Sequence, residues 1–127
     1  MKKKILVVDD EESFGDIVKL NLEFTEEYEV FVEREGAKAE EAARRVKPDL
    51  IILDMILPDM DGVAIFEALH RDPELKQIPV FFLTAFVGSK ERKALSDKIG
   101  IKNLVIESKP IASEALLELV RKHVRQP

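Results

Sequence analysis

Short apolar runs that alternate with helical stretches are the feature that most limits how this chain can fold. Five runs rich in aliphatic, β-branched or aromatic residues predict strands at Ile5–Val8, Tyr28–Val32, Leu50–Leu53, Val80–Leu83 and Leu104–Ile106. Between and after them, apolar spacing predicts helices around Phe14, Ile17, Val18 and Leu22, around Ala39–Val46, and at Asp61–Arg71, Ser89–Ile99 and Ala112–Val124. Strict alternation of strand and helix predicts right-handed βαβ units, and therefore an α/β fold with a parallel sheet and helices on both faces.

The composition of the runs predicts where each strand lies in that sheet. Ile5–Val8, Leu50–Leu53 and Val80–Leu83 are continuously apolar, as is typical of central strands covered on both faces. Tyr28–Val32 is interrupted by Glu29, which favours an edge position. In a sheet of this kind the carboxyl ends of the strands share one rim, and ligands bind there.

Length and charge limit the function further. A chain of 127 residues with 46% hydrophobic and 35% charged residues is expected to form a single domain over residues 1–127. A net charge of −5 disfavours direct nucleic acid binding, and the absence of cysteine excludes disulfides and thiolate sites. No apolar stretch approaches the roughly 20 residues that span a bilayer. We therefore expect a cytoplasmic protein with no membrane association.

Reactive side chains follow four of the five predicted strands. They are Asp9 and Asp10 after the first, Asp54 after the third, Thr84 at the fourth and Lys109 after the fifth. Carboxylates that converge on one rim repel one another unless a cation lies between them. Oxygen ligands without His or Cys favour a hard cation, and a few carboxylates that leave room for water and phosphate suit Mg²⁺ better than Ca²⁺.

Each of these residues also has a purely structural interpretation. Asp9 with Glu12 three positions later resembles a helix-capping box. Asp54 would simply begin a turn, Thr84 would be an ordinary strand end, and Lys109 a solvated charge. Taken together these readings require independent coincidences that place three acids, a hydroxyl and an amine on one rim.

Four motifs in order resemble the signature of response-regulator receiver domains of two-component signalling. They are Asp9-Asp10-Glu11, the segment from Asp54 to Gly62 (DMILPDMDG), Leu83-Thr84-Ala85 and Lys109-Pro110. The resemblance spans nearly the whole chain. It implies the flavodoxin-like, doubly wound strand order 2-1-3-4-5.

The resemblance also implies a role for each matched residue. Asp54 is expected to accept a phosphoryl group, Thr84 to donate its hydroxyl to a phosphoryl oxygen, and Lys109 to neutralise charge in the transition state. Mg²⁺ is the expected cofactor, held by three carboxylates and one backbone carbonyl: Asp9, Asp10, Asp54 and Met55. Asp61 and Gly62 are expected to cap and start the following helix.

The implied function is that of a phosphoacceptor switch rather than of an enzyme with an external substrate. A sensor histidine kinase or a phosphotransfer protein is the expected donor, and a downstream protein is the expected target of a surface formed by the predicted fourth helix, fifth strand and fifth helix. Ile106 occupies a position where receivers often carry an aromatic residue, so the usual aromatic switch is not expected. The Lys109-Pro110 bond is often cis in this family.

Three other classes remain as alternatives. A phosphatase of the haloacid dehalogenase type also forms an aspartyl phosphate, but its nucleophile follows the first strand in an Asp-x-Asp arrangement, whereas Asp9 and Asp10 are adjacent. A nucleotide or flavin binder lacks support because no glycine-rich phosphate-binding run is present. The third alternative is a receiver-like interaction module that is never phosphorylated.

Overall fold

The computed structural model describes residues 2–55, 57–84, 97, 105–109 and 111–125, with the side chains of Thr84, Val105 and Ser108 outside the description. Its strands are β1 (Lys3–Val8), β2 (Tyr28–Glu33), β3 (Leu50–Leu53), β4 (Val80–Thr84) and β5 (Val105–Ser108). Its helices are α1 (Glu12–Phe24), α2 (Ala39–Val46), α3 (Gly62–Arg71) and α4 (Ser113–His123), with a short 3₁₀ turn at Gly36–Lys38. The five predicted strands are confirmed, with small differences at their ends.

The five strands form one sheet in the order β2-β1-β3-β4-β5, and every pair is parallel. The doubly wound 2-1-3-4-5 fold is therefore confirmed. The strand interrupted by charge, β2, lies at an edge, as its sequence predicts. The strands that contain the continuous apolar runs, β1, β3 and β4, lie between the edges, where both faces are covered.

Alternate side chains of the central strands enter two separate cores. On β1, Leu6 and Val8 face a core with α2 and α3, while Ile5 and Val7 face a core with α1 and α4. Because strand side chains alternate between faces, a strand buried on both sides needs an unbroken apolar run. The two cores hold the carboxyl ends of β1 and β3 in fixed register, with Val8 opposite Leu53.

Helix α1 departs from the sequence expectation in a detail that affects the surface. Ile17 follows the helical period of α1 but is 55% exposed, while Gly15, Val18 and Leu22 form its buried face. A helix turns about 100° per residue, so Ile17 lies off the face that Val18 centres. On α4, the last of the five predicted helices, Leu116 and Val120 are buried, as is Val124 directly after the helix. Leu117 and Leu119 are partly buried and pack against the same core.

Several predictions fall on residues outside the described part of the chain. These include the helix at residues 89–99, of which Asp97 alone is described and is helical, and the peptide bond to Pro110. Ile106 is described and is buried in the α2–α3 core. Among the residues that the structure describes, no helix is long and apolar enough to cross a bilayer.

Candidate functional site

The carboxyl ends of β1 and β3 bring Asp9, Asp10 and Asp54 together. The two strands are neighbours, and the backbone N–H of Asp54 donates to the carbonyl of Val8 at 3.0 Å. The backbone N–H of Asp9 donates to the carbonyl of Glu33 on β2 at 3.0 Å. The rim is therefore built by the sheet ladder itself, which fixes the backbone of both acidic residues.

The carboxylates of Asp9, Asp10 and Asp54 each place one oxygen within 4.8 Å of the others. Asp9 and Asp54 are buried, whereas Asp10 is exposed. Burial of two carboxylates this close is unfavourable without compensating positive charge, because each charge loses hydration and repels the other. The arrangement is therefore suited to a cation.

Lys109, which follows β5, supplies one positive charge from the protein. Its Nζ lies 2.6 Å from Asp9 Oδ2, 3.4 Å from Asp54 Oδ2 and 3.6 Å from Glu11 Oε2. The same nitrogen lies 4.4 Å from the centroid of the Phe14 ring. The lysine thus bonds most closely to Asp9 and is held beside Asp54.

Burial and pairing set the pKa values in this cluster. Burial raises the pKa of Asp9, and this effect outweighs the hydrogen bonds from Lys109 and from the backbone of Glu11, which lower it. For Lys109, burial favours a lower pKa, but the hydrogen bond to Asp9 and the charges of Asp9, Asp54 and Glu11 together raise it. The ammonium form of Lys109 is therefore favoured.

The donor set fits Mg²⁺. In an octahedral Mg²⁺ site with bonds of about 2.0–2.1 Å, ligand oxygens are separated by at most roughly 4.2 Å. The carboxylate oxygens of Asp9, Asp10 and Asp54 lie within 4.8 Å of one another, which is close to that spacing. Three carboxylates leave the remaining positions to water or to a phosphoryl oxygen.

The loop after β3 is held by a hydrogen bond between its own two ends and by hydrogen bonds to the turn at Gly36–Lys38. The N–H of Gly62 donates to the carbonyl of Met55 at 2.9 Å, so only the second lone pair of that carbonyl remains for a metal. Asp61 caps α3 by accepting from the N–H of Val63 at 2.8 Å, which confirms the predicted cap. Asp59 accepts from the N–H groups of Gly36 and Ala37, each at 3.0 Å.

The alternative interpretation of Asp9 as a capping-box residue is not supported by the structure. Helix α1 begins at Glu12 with Glu11 as its N-cap residue, and no side chain caps it. The Asp9 carboxylate instead accepts from the N–H of Glu11 at 2.9 Å, in a turn that precedes the helix. This turn keeps the Asp9 side chain at the rim, with its second oxygen toward Lys109.

The structure gathers four of the predicted site residues, Asp9, Asp10, Asp54 and Lys109. Thr84 is the last residue of β4, the strand next to β3, and it pairs with Ser108 of β5. The side chain of Thr84 lies outside the described part of the chain. Sequence reasoning missed Glu11 and Phe14 as neighbours of Lys109. The sequence signal that could have identified them is their position directly after the acidic pair, with Glu11 just before α1 and Phe14 in its first turn.

A doubly wound sheet that gathers three aspartates and a lysine at its carboxyl rim has the architecture expected of a two-component receiver. The family described as "Response regulator receiver domain" matches residues 5–121. This chain therefore belongs to the response regulator receiver domain family.

Curated relatives and solved structures agree with this assignment. The chain is 35% identical over 123 residues to the DNA-binding dual master transcriptional regulator RpaA of Synechocystis sp., covering 97% of this chain and 49% of RpaA. It is 42% identical over 85 residues to the alkaline phosphatase synthesis transcriptional regulatory protein PhoP of Bacillus subtilis, covering 67% of this chain and 34% of PhoP. The chain thus spans about half or less of the length of each of these two relatives.

Two solved structures illustrate the similarity of fold. Chemotaxis protein CheY4 of Vibrio cholerae superposes with a TM-score of 0.85 at 26% identity, covering 98% of this chain and 100% of CheY4. The BeF₃-activated N-terminal receiver domain of Klebsiella pneumoniae RstA superposes with a TM-score of 0.81 at 31% identity, covering 97% and 99%. Both matches cover nearly the whole of this chain.

Proposed function

We propose that residues 1–127 act as one receiver domain in which Asp54 accepts a phosphoryl group from a phosphohistidine or a small phosphodonor. The observation that carries the proposal is the position of the Asp54 carboxylate, which lies beside two further carboxylates and 3.4 Å from Lys109. Labelling by acetyl phosphate and Mg²⁺, followed by intact-mass measurement, tests the proposal directly. One added phosphoryl mass is the expected result.

The transfer is a displacement at phosphorus. An oxygen of Asp54 attacks the phosphorus atom, the bond from phosphorus to the donor nitrogen or oxygen breaks, and the donor leaves with the bonding electron pair. Lys109 would stabilise the negative charge on the transferred group, and its ammonium lies 3.4 Å from Asp54 Oδ2. The buried position of Asp54 limits access of water to the carboxylate.

Mg²⁺ would be held by the carboxylates of Asp9, Asp10 and Asp54, and would neutralise phosphoryl oxygen charge when bound. Asp9 also contacts Lys109 at 2.6 Å, so a metal at this carboxylate would compete with the lysine for it. The backbone carbonyl of Met55, expected from the family resemblance to be a fourth ligand, has one lone pair engaged by Gly62. Water would complete the coordination.

The partners follow from this role. A histidine kinase or a phosphotransfer protein supplies the phosphoryl group, and a change at Asp54 alters binding of a downstream protein. RpaA is named as a DNA-binding regulator, but this chain matches only 49% of it. The net charge of −5 supports our expectation that residues 1–127 do not bind DNA themselves. The expected location of the protein is the cytoplasm.

Metal binding should be visible as a change in stability. Mg²⁺ at about ten times its Kd stabilises the folded chain by roughly 1.4 kcal/mol, which corresponds to a rise in Tm of roughly 4–6 °C for a domain of this size. Asp10→Asn removes the exposed carboxylate of the cluster, so the rise should shrink to less than half. Asp16→Asn, an exposed acid on α1 outside the cluster, is the control. Equal rises in both variants would contradict the site, and differential scanning calorimetry with and without Mg²⁺ measures them.

Helix α1 carries the large hydrophobic side chains that are exposed in the described part of the chain. Ile17, Leu20 and Phe24 are 55%, 69% and 86% exposed and recur at helical spacing on one stripe. The helix begins at Glu12, two residues after Asp10, so its first turn lies next to the rim that a protein donor must reach. We infer that this stripe contacts the protein donor.

This inference separates docking from chemistry. The donor is a histidine kinase that labels the wild-type chain. Leu20→Ser and Phe24→Ser should each slow phosphoryl transfer from this kinase by about tenfold, which corresponds to the loss of one interface contact of roughly 1.4 kcal/mol. Labelling by acetyl phosphate should be unchanged, because that donor needs no protein contact. Arg45→Ser on the exposed face of α2 is the control. A loss that is equal for both donors would show that the stripe supports the fold instead; radiolabel transfer kinetics provide both rates.

A further inference from the structure

Phe14, in the first turn of α1, lies against the ammonium group of Lys109. The distance from Nζ to the ring centroid is 4.4 Å, well inside the limit of about 6 Å for a cation–π contact. Phe14 is half-buried and packs against the α1–α4 core, so its ring is held by its neighbours. The lysine side chain is only 10% exposed, which reduces screening of the contact by water.

The other partners of Lys109 are carboxylates that a metal would also use. Asp9 lies 2.6 Å and Asp54 3.4 Å from the ammonium, and both belong to the cluster that fits Mg²⁺. A cation among these oxygens therefore competes with Lys109 for them. The Phe14 ring is different, because it offers no oxygen ligand to a hard cation and carries no proton to lose. Its attraction for the ammonium persists whether or not the carboxylates are engaged.

We propose that Phe14 is a positioning residue that keeps the Lys109 ammonium beside Asp54 when the carboxylate oxygens are taken up by a cation. The inference rests on the proposed function of Asp54 as the phosphoacceptor. Phe14 does not touch the reacting atoms and acts only through Lys109. The negative face of its ring is the property that matters, so ring chemistry and not side-chain volume should control the rate.

Stepwise fluorination of the ring tests this property at nearly constant size. Phenylalanine with one, two and three fluorine atoms is placed at position 14 by site-specific incorporation, which progressively weakens the negative ring face. The rate of acetyl phosphate labelling at saturating Mg²⁺ should fall with each fluorine, by about 3- to 10-fold across the series. Phe14→Leu should show the full loss, and Phe14→Tyr, which keeps an electron-rich ring, should stay near the wild-type rate.

Two controls separate positioning from general packing. In a Lys109→Met background, Phe14→Leu should cause no further loss, because the residue through which the ring acts is gone. Phe31→Leu changes another half-buried phenylalanine, on β2, and should leave the labelling rate unchanged. A loss from Phe14→Leu that persists in the Lys109→Met background would overturn the proposed role.

A further readout does not depend on phosphorylation. The ring current of Phe14 should shift the ε-methylene protons of Lys109 upfield in wild-type protein, before and after addition of Mg²⁺, and the shift should vanish in Phe14→Leu. Loss of the shift on adding Mg²⁺ would overturn the inference. A wild-type chain that takes up no phosphoryl group would overturn the proposed function and this role with it. A labelled wild-type chain with a flat fluorine series would overturn the role of Phe14 alone.

Discussion

Asp54→Asn should take up no phosphoryl group from acetyl phosphate under conditions that label the wild-type chain fully. The amide of asparagine keeps the shape of the side chain but is not a nucleophile, so the covalent step is lost outright. The loss should exceed a factor of about 10³, because the substitution removes the proposed acceptor itself. Intact-mass spectrometry of the labelled protein provides the measurement.

The same substitution provides its own test of folding. Asp9, Asp10 and Asp54 together carry three negative charges, and Lys109 offsets only one of them. Neutralising Asp54 should therefore raise Tm in the absence of metal and reduce the stabilisation by Mg²⁺. Asp59→Asn is the matched control, because Asp59 lies in the same loop and bonds to backbone N–H groups away from the cluster. Labelling of Asp54→Asn at the level of Asp59→Asn would refute the assignment of the acceptor.

The rim was predictable from the sequence because parallel topology dictates where strands end. Residues that follow strands of one parallel sheet share an edge, so locating β1 and β3 placed Asp9 and Asp54 on one rim. The strand order implied by the family resemblance, in which β1 and β3 are neighbours, placed them side by side. The hydrogen bond from the backbone N–H of Asp54 to the carbonyl of Val8 joins the ends of the two strands at this rim. Continuous apolar runs identified the central strands for a similarly general reason, since both faces of those strands are covered.

Side-chain pairing within the rim was not predictable in the same way. Lys109 has four rotatable side-chain bonds, so the sequence does not determine which carboxylate it contacts most closely. In the structure that carboxylate is Asp9, which is 1% exposed and needs a partner for its buried charge. The cation–π contact with Phe14 depends on the rotation of α1 about its axis. The exposure of Ile17 has the same origin, because apolar spacing indicates a helix more reliably than it locates the edge of the buried face.

Gly62→Ala should destabilise the protein by about 3 kcal/mol, because a β-carbon at this position meets backbone that cannot move away. The added atom would lie 2.5 Å from the carbonyl oxygen of Asp54 and 2.7 Å from the Cα of Met55. Relief requires the start of α3 to separate from the end of β3, which breaks the hydrogen bond from Gly62 to Met55. The midpoint of urea unfolding should fall with little change in the slope of the transition.

Gly15→Ala is the matched control within α1. Its added β-carbon would lie 2.9 Å from a methyl group of Val32, a side chain that can adjust, and no backbone atom is among its nearest neighbours. Alanine also favours a helix interior over glycine by about 1 kcal/mol, which offsets the crowding. The net change should therefore be small. Because the clash at Gly62 displaces the backbone of Asp54 itself, Gly62→Ala should also slow labelling in the fraction that remains folded. Equal stability of the two variants would mean that the loop after β3 yields freely, and that Gly62 does not hold the acceptor in place.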